Sequence, residues 1–174
     1  SRLFVFGRSG LAKELGRAGF KPFTLRTRAD WEKYRCAGGA GTRAVVVAFD
    51  RSITYWSLCT ALRSLERGAE LIASNLDPSY PARGGIMPGT GSLVRLLETA
   101  SGKRPVLIGK PSPLMFRLLL REHGVHPREA LVVGDQPEID VRAGQAVGAA
   151  TALVLTGIAK PGEAARARPR PDIV

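Results

Sequence analysis

Short apolar runs alternate with stretches of helical periodicity along most of the chain. The pattern predicts strands at residues 3–7, 20–25, 45–49, 70–74, 106–108, 130–133 and 152–155. It predicts helices at residues 9–18, 54–67, 92–100, 112–123 and 137–147. The run 45–49 has no polar alternation, so we expect it to be covered on both faces. This alternation is typical of an α/β protein with mainly parallel strands.

Two segments are irregular by composition. Residues 36–41 are rich in glycine and alanine and are expected to form a loop. Residues 77–91 form the longest irregular segment and are rich in proline and glycine, and long loops in compact domains are often functional. A domain boundary is expected near residues 102–105.

The composition is that of an ordinary globular protein except for its charge. The chain has 174 residues, and 26 Lys and Arg against 15 Asp and Glu give a net charge of +11. This excess of positive charge leaves a nucleic-acid partner as an open alternative. However, the cations are scattered and only 6% of residues are aromatic. We therefore favour a solvated basic surface that attracts small phosphorylated molecules.

The two cysteines, Cys36 and Cys59, are too few for a disulfide framework, and no apolar run is long enough to span a membrane. The expected location is therefore the cytoplasm.

Lys110 follows the predicted strand 106–108 and precedes a helix that begins near Ser112 and Pro113. The carboxyl edge of a parallel sheet is where such folds bind ligands, and a cation beside a helix N-terminus favours an anion such as phosphate. From these residues alone, a solvated loop lysine is an equal alternative.

Two carboxylates follow the predicted strand 130–133. Asp135 comes directly after Gly134, and Asp140 lies five residues further along the chain. Two carboxylates near one sheet edge suit a hard divalent cation, which prefers oxygen ligands and retains several waters. The alternative for Asp135 is a helix N-cap.

Together these features resemble a known family. Gly-Lys-Pro-Ser at 109–112, followed by a helix, a strand, Gly134-Asp135 and Asp140, resembles the third and fourth motifs of the haloacid dehalogenase (HAD) superfamily. The branch it resembles contains the p-nitrophenylphosphatases, phosphoglycolate phosphatases and pyridoxal phosphatases. Further segments resemble the same branch, at residues 5–20, 45–55, 70–77, 88–93 and 153–157.

The resemblance implies a HAD-like α/β fold with an inserted α/β cap domain at residues 1–104 and the C-terminal half of a parallel Rossmann-like core sheet at 105–174. It implies that Lys110 steadies the nucleophile and the phosphoryl oxygens. Asp135 is implied as a direct Mg²⁺ ligand and Asp140 as an indirect or water-mediated one. Asn75 and Asp77 are implied to face the leaving group of the substrate.

The family's Asp-x-Asp nucleophile motif is absent from these 174 residues. Asp50 follows an apolar strand, but its surroundings resemble a cap strand, so we reject it as the nucleophile. The chain resembles a family member that begins inside the cap and lacks motifs one and two. We therefore expect the missing N-terminal core half, or a partner chain, to complete the sheet. A homodimer through the cap is also familiar in this branch.

Three functional hypotheses follow. The first is a Mg²⁺-dependent phosphomonoesterase for a small phosphorylated metabolite, inactive as this chain alone. The second is a non-catalytic HAD-like subunit or scaffold, in an assembly that could contain nucleic acid. The third interprets Gly7-Arg8-Ser9-Gly10 as a nucleotide-phosphate turn, although the full glycine fingerprint is absent.

Overall fold

The computed structural model of the protein describes residues 1–36, 41–164 and 166–174. The predicted loop at 36–41 therefore lies mostly outside the described residues. The chain divides into two compact units, Ser1–Leu107 and Ile108–Val174. Both units contain parallel strands, so the predicted α/β class with a parallel sheet is confirmed. None of the helices in the described part of the chain is long and apolar enough to cross a membrane.

The first unit is built on a five-stranded parallel sheet. Its strands are β1 (Arg2–Phe6), β2 (Lys21–Phe23), β3 (Thr42–Val47), β4 (Glu70–Ala73) and β7 (Val106–Leu107). They lie in the order β2-β1-β3-β4-β7. Its helices are α1 (Ser9–Arg17), α2 (Arg28–Cys36), α3 (Tyr55–Glu66) and α4 (Thr90–Ser101). An antiparallel hairpin of β5 (Ser79–Ala82) and β6 (Gly85–Pro88) precedes α4.

Helices cover both faces of this sheet, as the apolar run 45–49 predicts. Side chains alternate along β1, so that Phe4 and Phe6 pack with Leu65 of α3 and Leu97 of α4. The intervening residues of β1 pack on the opposite face with α1, in a cluster of Leu3, Val5, Ala44, Leu11 and Leu15. The central strands are therefore buried on both sides, which is typical of parallel sheets.

Three elements of the first unit differ from the expectations. Helix α2 was not predicted, and neither was the hairpin β5–β6 within the segment expected to be irregular. Strand β7 was expected in the core domain, but it pairs with β4 in the first unit, through Ile72 opposite Val106 and Ala73 opposite Leu107. The polypeptide thus leaves the first sheet only after Leu107.

The second unit has a small parallel sheet of β8 (Leu131–Gly134) and β9 (Ala150–Leu153). Its helices are α5 (Leu114–His123), α6 (Arg142–Gln145) and α7 (Pro161–Ala164), with a π-helical segment at Pro137–Val141. The predicted helix 137–147 is thus divided between the π-helical segment and α6. Near the C-terminus, Ile173 pairs with Ala152 and extends the sheet beyond β9. Among the described residues, β8 therefore has one strand neighbour and β9 has one on each side.

Candidate active site

Lys110 and Asp140 form an ion pair in the second unit. The Lys110 Nζ donates to Asp140 Oδ1 at 2.5 Å. The Asp140 side chain is 4% exposed and that of Lys110 is 42% exposed. The carboxylate is therefore a fixed buried anchor, whereas the lysine retains access to solvent and to a ligand.

The other oxygen of Asp140 binds the backbone at the end of β8. Asp140 Oδ2 accepts from the backbone N–H groups of Asp135 and Gln136, at 3.1 and 3.0 Å. Such bonds to an ionised acceptor are among the stronger hydrogen bonds in proteins. One buried carboxylate thus holds both Lys110 and the loop that carries Asp135.

Glycine at position 134 makes this arrangement sterically feasible. A Cβ at Gly134 would lie 2.2 Å from Asp140 Cγ and 2.4 Å from its Oδ2. Real Cβ atoms essentially never approach other atoms this closely. The absence of a side chain therefore allows the carboxylate to reach the backbone at 135 and 136.

Asp135 is partly buried and is held from the segment after β9. Its Oδ2 accepts from the backbone N–H of Ile158 at 2.8 Å, and its carbonyl accepts from that of Ala159 at 3.1 Å. A Cβ at Gly157 would lie 2.0 Å from the same Oδ2. Among the described residues, Asp135 Oδ1 has no hydrogen-bond partner, so it is the carboxylate oxygen available to a ligand.

The local structure around Lys110 differs slightly from the prediction. Helix α5 begins at Leu114 with Pro113 as its N-cap, two positions after the predicted start at residue 112. Ser112 Oγ still accepts from the backbone N–H of Leu114, at 3.4 Å. Lys110 therefore lies in the turn before α5, with the serine hydroxyl at the start of the helix.

These residues fit one part of a magnesium site. Mg²⁺ is usually held by one or two carboxylates together with waters and substrate phosphates. Asp135 presents one carboxylate oxygen, whereas both oxygens of Asp140 are already engaged by Lys110 and by backbone N–H groups. No group of three or more His, Cys, Asp or Glu side chains that could hold a metal occurs in the described ranges. This donor set suits Asp135 as the direct ligand and Asp140 as the residue that positions it.

Asn75 and Asp77 lie together after β4 in the first unit. Asn75 Oδ1 accepts from the backbone N–H of Asp77 at 3.2 Å, which closes a local turn. The first turn of α4 packs against this segment, because a Cβ at Gly91 would lie 2.1 Å from the carbonyl oxygen of Leu76. The glycines at 89 and 91 thus brace the loop that presents the Asp77 side chain to solvent.

A largely apolar cavity of about 490 Å³ lies close to this loop in the first unit. Phe49 and Tyr80 contribute to its wall and pack edge to face, with ring centroids 5.0 Å apart. Met87, Leu93 and Leu96 also line it. The sequence gives no signal of this cavity, because its residues come from the loop after β3, from the hairpin and from helices α3 and α4.

The surroundings of Asp50 are those of a buried carboxylate that holds loops together, not those of a nucleophile. Its carboxylate is 3% exposed and accepts from the Arg26 guanidinium, from the Ser52 backbone and hydroxyl, and from the Gly7 backbone. Burial alone raises the pKa of this carboxyl, but the hydrogen bonds from Ser52 and Arg26 outweigh it, so that the pKa lies below its ordinary value. A carboxylate with both oxygens engaged in this way is a poor attacking group.

The comparisons with known proteins agree with this architecture. Residues 107–174 match a family model described as HAD-hydrolase-like. Chronophin from Mus musculus is 37% identical over 168 residues, which cover 93% of this chain and 53% of that protein. The structure is similar to p-nitrophenyl phosphatase from Archaeoglobus fulgidus, with a TM-score of 0.83, 34% identity, and coverage of 100% of this chain and 63% of that one. It is also similar to a glycerol phosphate phosphatase from Mycobacterium tuberculosis in complex with magnesium, with a TM-score of 0.83, 31% identity, and coverage of 100% and 50%.

The parallel α/β fold and these matches show that the chain belongs to the haloacid dehalogenase superfamily. Lys110, Asp135 and Asp140 form the lysine–aspartate cluster of the second unit. Within the superfamily, the chain belongs to the branch of the p-nitrophenyl, phosphoglycolate and pyridoxal phosphatases, as its motifs indicate. The chain spans about half the length of the curated relatives it matches.

The structure brings Lys110, Asp135 and Asp140 together in the second unit and places Asn75 and Asp77 together in the first. It also identifies Gly134 and Gly157 as residues on which the site depends. Both glycines are visible in the sequence, but the carboxylate that each one accommodates is not.

Proposed function

We propose that this chain contributes the cap and the lysine- and metal-bearing part of a Mg²⁺-dependent phosphomonoesterase that acts on a small phosphorylated metabolite. The observation that carries the proposal is the cluster in which Asp140 holds Lys110 and the Asp135 loop together. Two of the similar structures are a p-nitrophenyl phosphatase and a glycerol phosphate phosphatase, and the latter contains magnesium.

In this proposal, the half-exposed Lys110 ammonium contacts the oxygens of the transferring phosphoryl group. Its position is fixed by Asp140, so little reorganisation is needed when negative charge develops. The free oxygen of Asp135 would bind Mg²⁺, which when bound neutralises charge on the phosphoryl oxygens. Ser112 Oγ, at the start of α5, is available to the same anion.

We assign residues 1–104 to the cap domain and 105–174 to part of the core domain, with β7 as the connecting segment that pairs with β4. The cap would determine which phosphate ester is accepted, with Asn75 and Asp77 facing the leaving group. The apolar cavity beside Phe49 and Tyr80 offers space for an organic group. Cys36 and Cys59 are both free thiols, which supports a reducing compartment such as the cytoplasm.

Hydrolysis by this route needs an aspartate nucleophile that these 174 residues do not supply. We propose that a segment or partner carrying Asp-x-Asp completes the sheet beside β8. Leu131 and Val133 support this, because these apolar residues are 52% and 56% exposed on a strand with one neighbour among the described residues. Exposed apolar side chains on an open strand are typical of an interaction surface.

The activity is tested with p-nitrophenyl phosphate in the presence and absence of Mg²⁺. We expect no turnover by the chain alone, and Mg²⁺-dependent turnover when it is linked to an Asp-x-Asp-bearing segment. In the linked protein, Lys110→Ala and Asp135→Asn should abolish turnover, whereas Lys103→Ala, an exposed lysine seven residues away, should not. Turnover by the chain alone that Asp50→Asn removes would contradict the proposal.

Metal binding is tested separately on the 174-residue chain by nuclear magnetic resonance. Adding Mg²⁺ should shift the backbone amide signals of Asp135 and Ile158, and Asp135→Asn should remove the shifts. Glu138→Gln is the matched control, because Glu138 is an exposed carboxylate three residues away that pairs with Arg142. Equal loss of the Mg²⁺-induced shifts in Asp135→Asn and Glu138→Gln would refute a specific role of Asp135.

A further inference from the structure

A second cavity, with cationic walls, lies at the carboxyl edge of the sheet in the first unit. Its volume is about 390 Å³. The residues that line it include Arg8, Ser9, Arg26, Asp50, Arg51 and Ser52. None of them belongs to the lysine–aspartate cluster of the second unit or to the segment of Asn75 and Asp77.

The topology of the sheet singles out this position. From β1 the chain proceeds to β2 on one side, and from β3 it proceeds to β4 on the other, while β1 and β3 are neighbours. The connecting helices accordingly lie on opposite faces, with α1 against Leu3 and Val5 and α3 against Phe4 and Phe6. The loops after β1 and β3 therefore separate and leave a crevice between them. In open α/β sheets, this crevice at the point where the strand order reverses is where ligands bind.

Hydrogen bonds hold the two loops that form the crevice. Gly7 of the first loop donates its N–H to Asp50 Oδ2 of the second, at 3.2 Å. Arg26 donates to the same oxygen at 3.1 Å and also to the carbonyl of Ser52. Ser52 closes the second loop through its backbone and hydroxyl bonds to Asp50 Oδ1. The buried carboxylate is thus fully engaged and gives the cavity a defined shape.

The remaining charge of the cavity is positive. Three arginines face one carboxylate, and Arg26 pairs with it, so Arg8 and Arg51 remain as uncompensated cations. Both are exposed, and among the described residues neither has a hydrogen-bond partner for its side chain. The Arg51 guanidinium lies over the Phe49 ring, 6.0 Å from the centroid. The planar guanidinium fork matches the oxygens of a phosphate group.

We propose that this cavity binds the phosphate group of a small molecule, or inorganic phosphate itself. Arg8 and Arg51 hold the anion, and the Ser9 hydroxyl is available as a further donor. Arg26 and Asp50 do not bind the ligand directly but fix the loop that carries Arg51. The site gives a function to the Gly7-Arg8-Ser9-Gly10 turn, which the proposed phosphatase activity leaves unused.

The test is a titration of the 174-residue chain with inorganic phosphate, followed residue by residue by nuclear magnetic resonance at constant ionic strength. We expect saturable shifts at the backbone amides of Gly7, Ser9 and Ser52. The double variant Arg8→Ala/Arg51→Ala should weaken binding at these amides by about tenfold or more, because each arginine supplies charge-assisted hydrogen bonds. Both residues are exposed, so the variant should retain the fold, which the unchanged signals of the sheet would verify.

The matched control is Arg43→Ala/Arg83→Ala, which removes the same charge from exposed positions of the same unit outside the cavity. Its affinity for phosphate should change less than about twofold, since distant surface charges are screened. Equal weakening in both double variants, or the absence of saturable shifts, would overturn the proposal. Lys110→Ala should leave the shifts at Gly7 and Ser9 intact, and their loss in that variant would likewise overturn it.

Discussion

Replacing Gly134 with alanine should disrupt the site through one steric contact. The new Cβ would lie 2.2 Å from Cβ and Cγ of Asp140, whereas ordinary contacts begin at 3.4 Å. The Asp140 side chain is 4% exposed and cannot swing into solvent, so it or β8 must shift by about 1 Å. The backbone at position 134 does not have a positive φ, so conformational strain of the alanine does not contribute.

The size of the destabilisation expected for Gly134→Ala follows from the interactions that such a shift breaks. Asp140 Oδ2 accepts two backbone hydrogen bonds, and each bond to a charged group contributes about 1.5–3 kcal/mol. The pair with Lys110 adds at most about 1 kcal/mol, because the lysine side chain is 42% exposed. If both backbone bonds and the ion pair are lost, we therefore expect Gly134→Ala to lower the free energy of unfolding of the second unit by about 3–7 kcal/mol.

Hydrogen exchange measures this loss locally. The amides of Ala150 and Val154 donate to the carbonyls of Ala130 and Gly134, so their protection reports the pairing of β8 with β9. Gly162→Ala is the control within the same unit, because its Cβ would have no heavy atom within 4 Å. The steric argument would be refuted if Gly134→Ala lowered the free energy of unfolding by less than about 1 kcal/mol, or if Gly162→Ala lowered it equally.

Three further predictions concern other parts of the chain. Thr54→Ala should destabilise the first unit by about 1 kcal/mol in urea unfolding, because it removes the capping box with Ser57, whereas Thr54→Ser should retain most of the stability. The pKa of Asp50 is lowered, so its ionised carboxylate stabilises the folded state above the pKa of this group in the unfolded chain, about 4. This contribution is lost on acidification, so Asp50→Asn should make stability fall less steeply towards low pH. We expect the isolated chain to self-associate through the open strand β8, and Val133→Lys should reduce this in sedimentation experiments because it places a charge on that strand.

Each of these has a result that contradicts it. Equal stability of Thr54→Ala and the parent chain would remove the role of the cap. An acid limb as steep in Asp50→Asn as in the parent chain would assign the acid sensitivity to other carboxylates. Self-association unchanged by Val133→Lys would show that β8 is not the contact.

The central strands and helices were predictable because their signals are local. The run 45–49 and the leucines of α1 and α4 have the periodicity that burial requires. Helix α2 has no such signal, since Tyr34 is its one buried residue and is held by hydroxyl contacts to Ser64 and Thr42. The hairpin β5–β6 is short, exposed and proline-containing, so its sequence is that of an irregular loop.

The candidate site was predictable as a set of residues but not as an arrangement. Lys110, Asp135 and Asp140 were identified from motif spacing, and the structure brings them together. The bonds of Asp140 to the backbone at 135 and 136 depend on the bend of the π-helical segment, which periodicity does not reveal. The cationic cavity near Arg8 and Arg51 depends on strand order, and a single sequence gives no direct signal of strand order.

The division into two units also determines what optical spectroscopy can observe. Both tryptophans, Trp31 and Trp56, and all three tyrosines lie between residues 1 and 107. Tyrosine and tryptophan absorbance and tryptophan emission therefore originate in the first unit. Phe116→Trp, at a half-buried position of α5, would place one chromophore in the second unit. Its emission, compared with that of the parent chain, would show separately how the lysine–aspartate cluster responds to magnesium and to phosphate.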